Sequence, residues 1–527
     1  MSQRSVPSDG DSRLAGVLAA LSLVSDIGRG RPADEAMRAC LVATALARAM
    51  GLSTGEASAI YYTALLRSVG CTATSHEYAA LYGDDVAVRG RGDLIDARAP
   101  RETFMFLWEA SSARKDVTHI RAFAAAVGHG RQAASEGARS DCEVGARMAR
   151  RFGLDTAVER GILAVFERWD GRGVPGGLSG ETISLPARFA AVAHAFVLFS
   201  ASLGLPEAWE QIRRWAGGSL DPGIVSALVQ HRDEVVSALH VDDAWVAVVD
   251  AEPGPTRRMT GEQLDEVARA FGDAADLKSP WLHGHSSGVA DLAGAAAAAL
   301  GSPPMEVARV RRAGLLHDIG RAGISTGIWD KPGPLTTAEW EQVRLHPYHT
   351  ERILGRAPVL APLARLAGMH HERLDASGYF RAAPAGMQDL ASRVLAAADV
   401  YHALTEERPH RSALRSDEAA RALEAEALDG DAVHAVIEAA GETGRRRPSR
   451  AAGISERELD VLRLLVHGRS EKEVAGQLFI SAATVHTHVS HIYEKAAVST
   501  RAGLAMFAME HDLIRPGEPV TGSPRIT

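Results

Sequence analysis

GLLHDIG at residues 314–320 and ALLRSVG at residues 64–70 are two versions of one heptapeptide, and their pairing sets the architecture of the chain. At the same offset AMG (49–51) falls under ALG (299–301). At a shorter offset ERWDGRGVP (167–175) falls under ERLDASGYF (372–380), ARFAAVAHAF (187–196) under SRVLAAADVY (392–401), and Asp141 under His346. One insertion in the first copy, between Gly70 and Asp141, reconciles the two offsets. Matches in this order exceed coincidence, and self-similarity on this scale marks a duplicated structural unit. In both copies apolar residues recur at three- and four-residue steps and strand-like alternation is rare, which reads as helix. The expected fold is all-α: two tandem helical bundles and a smaller C-terminal module.

Breaks in that pattern place the boundaries. Residues 1–12 read as a disordered start, 13–252 as the first bundle, 256–440 as the second, 441–452 as a basic linker, 453–516 as the C-terminal module and 517–527 as a tail. Pro253, Gly254 and Pro255 mark the junction between bundles. The linker carries Arg445, Arg446, Arg447 and Arg450. Just before the junction, the β-branched run Trp245 to Asp250 is expected to be an isolated strand or a buried connector.

At 527 residues the chain is too long for one core, since domains run to about 100–200 residues. Its composition, 46% hydrophobic and 24% charged, is that of an ordinary globular protein. A net charge of −8 excludes a protein that coats nucleic acid, so any DNA contact must be local. Cys40, Cys71 and Cys142 are too few and too scattered for a disulfide scaffold or a cysteine zinc knuckle. No apolar run reaches the roughly 18 residues of a membrane span, and Ala290–Leu300 reads as a short buried helix. MSQRSVPSDGDSR lacks a signal pattern. The expectation is a cytoplasmic protein with no membrane contact and no receiver domain.

The second copy presents His285, His317-Asp318, His346, His370-His371 and Asp399 in order. Neighbouring residues on a helix project about 100° apart, so such adjacent pairs make sense where helices converge on one centre. Imidazole with carboxylate suits Fe, Mn or Zn better than Mg or Ca. Asp318 is placed to bridge two ions, the arrangement that activates water against a phosphodiester. His349, His402 and His410 read as surface or capped residues. The text HDIGRAGI, WDKPGPLTTAEWEQVRLHPYHTERIL, HHERLDASGYF and SRVLAAADVYHALTEERPHR resembles the HD-GYP phosphohydrolases over roughly residues 280–412. The resemblance implies an all-α fold around a two- or three-metal centre and hydrolysis of cyclic di-GMP. It implies His317, Asp318, His346, His370, His371 and Asp399 as metal ligands, two divalent transition ions (Fe or Mn, with Zn as alternative), and Asp318 and Arg321 as catalytic residues.

Arg321 stands where the family has a phosphate-contacting lysine, which exchanges a point charge for a planar fork. The family's Gly-Tyr-Pro reads Gly378-Tyr379-Phe380, Asp-Gly reads Asp375-Ala376, the second Asp of DvfDAL is His402, and the acid that holds a third metal is Thr326 or absent. In the first copy Arg67-Ser68 replace His-Asp, Asp141 replaces the third His, Val165-Phe166 replace His-His, and His194 replaces Asp. An empty, packed centre is expected there, in a domain that is structural or sensory. Its loop GRGVPGGLSGETISLPAR is retained, and the tight turns at Gly171, Gly173 and Pro175 account for it.

The C-terminal module carries two capping boxes, Ser455-x-x-Glu458 and Ser470-x-x-Glu473, and a helix-ending glycine at Gly468. Three helices are expected: Glu456 to Val466, Glu471 to Leu478, and Ala482 to Ala497. On the third, Val485, Val489 and Ile492 share an inward stripe, with Thr487, Ser490, His491 and Glu494 opposite. ERELDVLRLLVHGRSEKEVAGQLFISAATVHTHVSHIYEKAAVSTRAGLAMFAM resembles LuxR-type modules, which implies that the third helix enters the major groove of double-stranded DNA. Carried over, base-facing positions fall on His486, Thr487 and Ser490, and phosphate contacts on Thr484, Lys495 and Arg501. The last helix, Arg501 to Glu510, is expected to expose apolar residues for a homodimer contact.

These readings converge on a transcriptional regulator with a metal centre that senses or hydrolyses a phosphorylated nucleotide. The alternatives are a phosphodiesterase that its DNA-binding module merely localises, and a non-catalytic dimerisation scaffold.

Overall fold

The computed structural model describes residues 12–92, 94–95, 100–112, 118–443 and 453–514. The linker arginines Arg445 to Arg450, the first 11 residues and the tail lie outside them. Among the described residues every regular element is a helix, with only isolated bridges such as Arg13 to Arg258 in place of strands. The chain divides into two compact units: Met1–Val267 with Arg356–Ala361, and Ala268–Gly355 with Pro362–Thr527.

The run Trp245 to Asp250 is neither strand nor connector but part of the helix Ala244–Ala251. Asp243 decides this, its side chain accepting the amides of Trp245 and Val246. Ala244 and Val248, four apart, then bury together, and the indole of Trp245 donates to Gly16 O at 2.9 Å. A good cap outweighs the weak strand preference of three valines.

Matching devices hold both copies. A Cβ on Gly70 would meet Asp141 O at 2.0 Å and Gly145 N at 2.7 Å, and one on Gly320 would meet His346 O at 2.1 Å and Thr350 N at 2.7 Å. Each glycine lets two helices touch backbone to backbone. Glu167 accepts the amides of Gly176 and Leu178, as Glu372 accepts those of Arg381 and Ala383. Asp26 accepts Ala36 N, as Asp276 accepts Ser286 N. The repeat is thus written in hydrogen bonds as well as in letters.

The centre of the first copy is not packed. It holds a cavity of about 1020 Å³. Val165 is buried and apolar, but Arg29, Arg67 and Arg89 line the same space, and charged guanidiniums do not collapse into an apolar core as valine does. The helix Leu185–Leu203 is long and apolar enough to cross a membrane, longer than any run singled out above, yet 61% of it is buried as a core helix.

The C-terminal module forms helices Glu456–Val466, Glu471–Leu478, Ala482–Ala496 and Arg501–Glu510, with both capping boxes formed. Phe479 takes a left-handed conformation, φ 54°, between the second and third. The last helix departs from expectation: Leu504, Met506, Phe507 and Met509 are buried. It packs on the helix Glu456–Val466, and the turn after it pairs Asp512 with Arg269 of the second bundle at 3.4 Å. Packing within the chain consumes the face expected for a dimer.

Candidate metal centre and DNA-binding surface

The adjacent pairs converge because each sits where a helix ends. His317 caps the helix Pro304–Leu316 and Asp318 opens the 3-10 turn Ile319–Gly323, so the chain bends between them. His370 and His371 follow the helix Ala361–Gly368 in the same way. His285 and His346 open the helices His285–Ala299 and His346–Leu354, and Asp399 projects from the middle of Leu390–Leu404. Five elements thereby aim at one point. His285, His317, His346 and His370 are fully buried, and Asp318 and Asp399 nearly so.

The hydrogen bonds fix which ring nitrogen faces inward. Nδ1 of His317, His346 and His370 lies 2.7, 2.6 and 2.6 Å from the carbonyls of Gly314, Val343 and Ala367. A carbonyl only accepts, so each Nδ1 carries a proton and each Nε2 is the nitrogen turned inward, the one that would offer its lone pair to a metal. Nε2 of His346 and His370 then stand 3.1 Å apart, both aimed at the same point. Asp318 Oδ1 is 3.4 Å from both of them, while Oδ2 is 3.1 Å from His317 Nε2 and 3.5 Å from His285 Nε2. Asp399 Oδ1 is 3.2 Å from His285 Nε2 and Oδ2 is 3.8 Å from His371 Nδ1. The inward nitrogens of His285 and His317 and Asp318 Oδ1 have no hydrogen-bond partner, and Asp318 Oδ2 is ion-paired with Arg321. Buried polar atoms left without partners are costly unless a cation lies among them. The donor set therefore fits metal ions, with one Asp318 oxygen serving each pair of histidines.

The electrostatics divide the rings: the carboxylates around His285 and His317 outweigh burial and raise both, His317 to about 9, so without metal each holds a proton where an ion would otherwise bind. Burial together with neighbouring histidine holds His346 and His371 well below the usual imidazole range, which keeps them neutral. Burial raises Asp318, but Arg321 and His317 outweigh it and hold the carboxylate ionised. Arg321 Nη2 lies 2.8 Å from Asp318 Oδ2, and its guanidinium sits over Trp329 at 4.6 Å. Tyr379 stacks on His371 at 4.6 Å.

Two residues escaped the sequence reading. His402, taken for a surface or capped residue, is buried, with Nδ1 at 3.2 Å from Glu406 and 3.3 Å from His285 Nδ1. Glu406 accepts from His285 Nδ1 at 3.0 Å, and Arg408 pairs with it in turn. A Cβ on Gly288 would strike His402 Nε2 at 1.8 Å, so that glycine makes room for the ring. The four-residue spacing of His402 and Glu406, across the end of the helix Leu390–Leu404, was the available signal. His349 is half-buried and His410 exposed.

In the C-terminal module Val485, Val489 and Ile492 are buried, while Thr484, His486, Thr487 and Ser490 are exposed. Lys495 is held at 2.7 Å by Glu458, and Arg501 donates to the carbonyls of Leu465 and Arg469, closing the end of the first helix. The exposed group makes one continuous face; the two cations are engaged within the chain.

A two-copy helical scaffold with a histidine-carboxylate centre and a terminal helix-turn-helix defines a class of protein, a metal-centre domain joined to a regulatory one. Residues 139–222 and 269–432 match the HD domain family model, and residues 452–508 match that of bacterial regulatory proteins, luxR family. The chain belongs to the HD-GYP phosphodiesterase family and carries a LuxR-type domain at its C-terminal end. It is 31% identical over 415 residues to 3′3′-cGAMP-specific phosphodiesterase 3 of Vibrio cholerae, covering 78% of this chain and 90% of that protein. It is 34% identical over 163 residues to a cyclic di-GMP phosphodiesterase of Thermotoga maritima, covering 31% of this chain and 44% of that one. A crystal structure of a cyclic GMP-AMP-specific phosphodiesterase from V. cholerae superposes with a TM-score of 0.57 at 28% identity, over 82% of this chain and 98% of that one.

Proposed function

We propose that the chain is a cytoplasmic transcriptional regulator whose second bundle binds and hydrolyses a cyclic dinucleotide, and that occupancy of this centre controls presentation of the helix-turn-helix. The observation that carries the reading is the convergence of inward-facing histidine nitrogens on Asp318, with those of His346 and His370 3.1 Å apart, a donor set that suits a cation. Relatives that act on 3′3′-cGAMP and cyclic di-GMP supply the substrate class. His317, Asp318, His346, His370, His371 and Asp399 would hold two ions, Fe or Mn, with Zn as alternative. Such ions, when bound, supply the charge that makes water nucleophilic at neutral pH and neutralises phosphodiester oxygens. The protein's share is orientation: the carbonyls behind His317, His346 and His370 fix the tautomers, Arg321 offers a guanidinium to phosphate, and Tyr379 closes one wall.

His486, Thr487 and Ser490 read base edges, with Thr484, Lys495 and Arg501 on the phosphate side. A homodimer on two half-sites would need a surface other than the buried side of Arg501–Glu510. Contacts between centre and module support the control: His467 Nδ1 meets Pro280 O at 3.4 Å, just ahead of His285, and Arg469 lies 3.8 Å from Glu407, next to Glu406.

Metal-loaded protein incubated with cyclic di-GMP or 3′3′-cGAMP should give linear product, and Asp318→Ala should abolish it while leaving DNA binding measurable by mobility shift. Full turnover in Asp318→Ala would sink the reading. Metal bound at stoichiometry without turnover of either nucleotide would favour a second reading, a sensing site, to which the altered loop Asp375-Ala376 and Gly378-Tyr379-Phe380 already points.

A further inference from the structure

Where the second copy gathers histidines, the first gathers arginines around its cavity. Arg67 occupies the position of His317, and its Nε and Nη1 are buried without a hydrogen-bond partner. Its guanidinium lies 5.2 Å over the Phe166 ring. Arg29 reaches the same cavity and donates to Ser68 Oγ at 2.7 Å. Of the acids nearby, Asp141 is paired with Arg89 at 3.2 Å, Asp170 with Arg168 at 2.8 Å, Glu167 with backbone amides, and Glu35 lies 4.0 Å from Arg31 and 3.6 Å from His194. Arg67 is therefore the cation at this wall that no carboxylate pairs. Two shifts agree with that: burial and Arg29 push Arg67 down to about 10, and burial with Arg67, Arg29 and Arg31 holds His194 well below the imidazole range.

An unpaired buried guanidinium costs several kcal/mol, which a bound anion recovers. The cavity, about 1020 Å³, matches the upper range of small-molecule sites, about 300–1,000 Å³. Tyr78, Phe166 and Trp215 add aromatic walls on which a base can stack. The scaffold and its loop are those of the second copy, with guanidinium standing where metal charge is expected. A phosphate oxygen accepts from the fork of Arg67 in the planar geometry that arginine favours.

We propose that the first copy is a regulatory binding site for a phosphate-bearing nucleotide, held by Arg67 and Arg29 in the 1020 Å³ cavity in place of metal ions. The choice of nucleotide rests on the reading of the second copy as a phosphodiester site; the anion site itself does not. The test is calorimetric titration of cyclic di-GMP into the full chain carrying Asp318→Ala, in EDTA, so that the metal centre holds no ligand. One saturable site per chain is expected, weakened at least tenfold by adding Arg67→Gln and partly kept by Arg67→Lys. Thermal unfolding should show both Arg67 variants folded, because the lost charge has no partner in the free protein. Absence of binding in the Asp318→Ala chain, or equal binding with Arg67→Gln, overturns the proposal. If that chain binds through Arg67 while the unsubstituted chain hydrolyses nothing, the site stands and the reading of the second copy falls.

Discussion

Glu406 and Glu458 show how single carboxylates govern this molecule at the residue scale. Glu406 accepts the Nδ1 proton of His285, which turns Nε2 toward Asp318 and Asp399 and raises its donor strength. Removing that charge in Glu406→Gln should lower metal affinity roughly 10–100-fold, measured by competition with a chromophoric chelator; unchanged affinity would mean that His285 is oriented by packing alone. Glu458 caps its helix through Ser455 and grips Lys495 at 2.7 Å. Burial raises its pKa, but Lys495 and the Ser455 contacts overcome this and bring it down to about 2 from 4.5. A carboxylate depressed in the folded state gives stability that is complete above the unfolded value and lost as pH falls through the folded one. Stability should therefore decline between about pH 4.5 and 2 through this group. Glu458→Gln should be less stable at pH 7 and flatter across that window, as melting curves of the module would register.

At the scale of elements, close backbone contacts set the centre's geometry. Gly320 lets the turn after His317-Asp318 lie directly on the helix that His346 opens. Gly320→Ala forces a Cβ to 2.1 Å from His346 O, so the two elements must separate. Overpacking of this kind costs about 1–3 kcal/mol, here against backbone that cannot rotate away. The expected result is a lowered melting temperature together with weakened metal binding, because His346 moves with its helix. A variant that melts lower but binds metal as before would separate fold from site. In the C-terminal module the reading helix owes its register to Ser481, which accepts Thr484 N, and to the left-handed Phe479 before it.

For the whole molecule the question is how centre and module communicate within the second unit. Pro280, Glu407 and Arg269 of the second bundle meet His467, Arg469 and Asp512 of the module. Two of these three contacts flank residues that hold His285, so a shift of that histidine on metal or nucleotide binding reaches the module directly. Coupling between sites is typically about 1–3 kcal/mol. Chelation should therefore change DNA affinity by roughly 5–150-fold in the unsubstituted chain and little in the double variant Arg269→Ala, Arg469→Ala. Equal sensitivity of both proteins in a mobility-shift titration would place the coupling elsewhere.

The all-α class, the duplication, the ordered series of histidines and aspartates that the fold gathers at one point, and the four-helix terminal module were legible in the letters. Each rests on short-range periodicity, caps or spacing, which local sequence encodes directly. Partners brought together over long stretches of chain were not. His402 and Glu406 looked like ordinary residues at a helix end because His285, the group they serve, lies more than 110 positions away and meets them only once the helices pack. The run Trp245 to Asp250 was misread because one capping carboxylate outranked its strand preference. The last helix hid its apolar face because a neighbouring surface covers it. The same holds for the first copy: substitution of its ligands could be read position by position, but whether the vacated centre closes depends on whether the surrounding side chains can approach one another. Apolar side chains would have packed there; Arg29, Arg67 and Arg89 line a cavity instead, and only the tertiary structure brings them together.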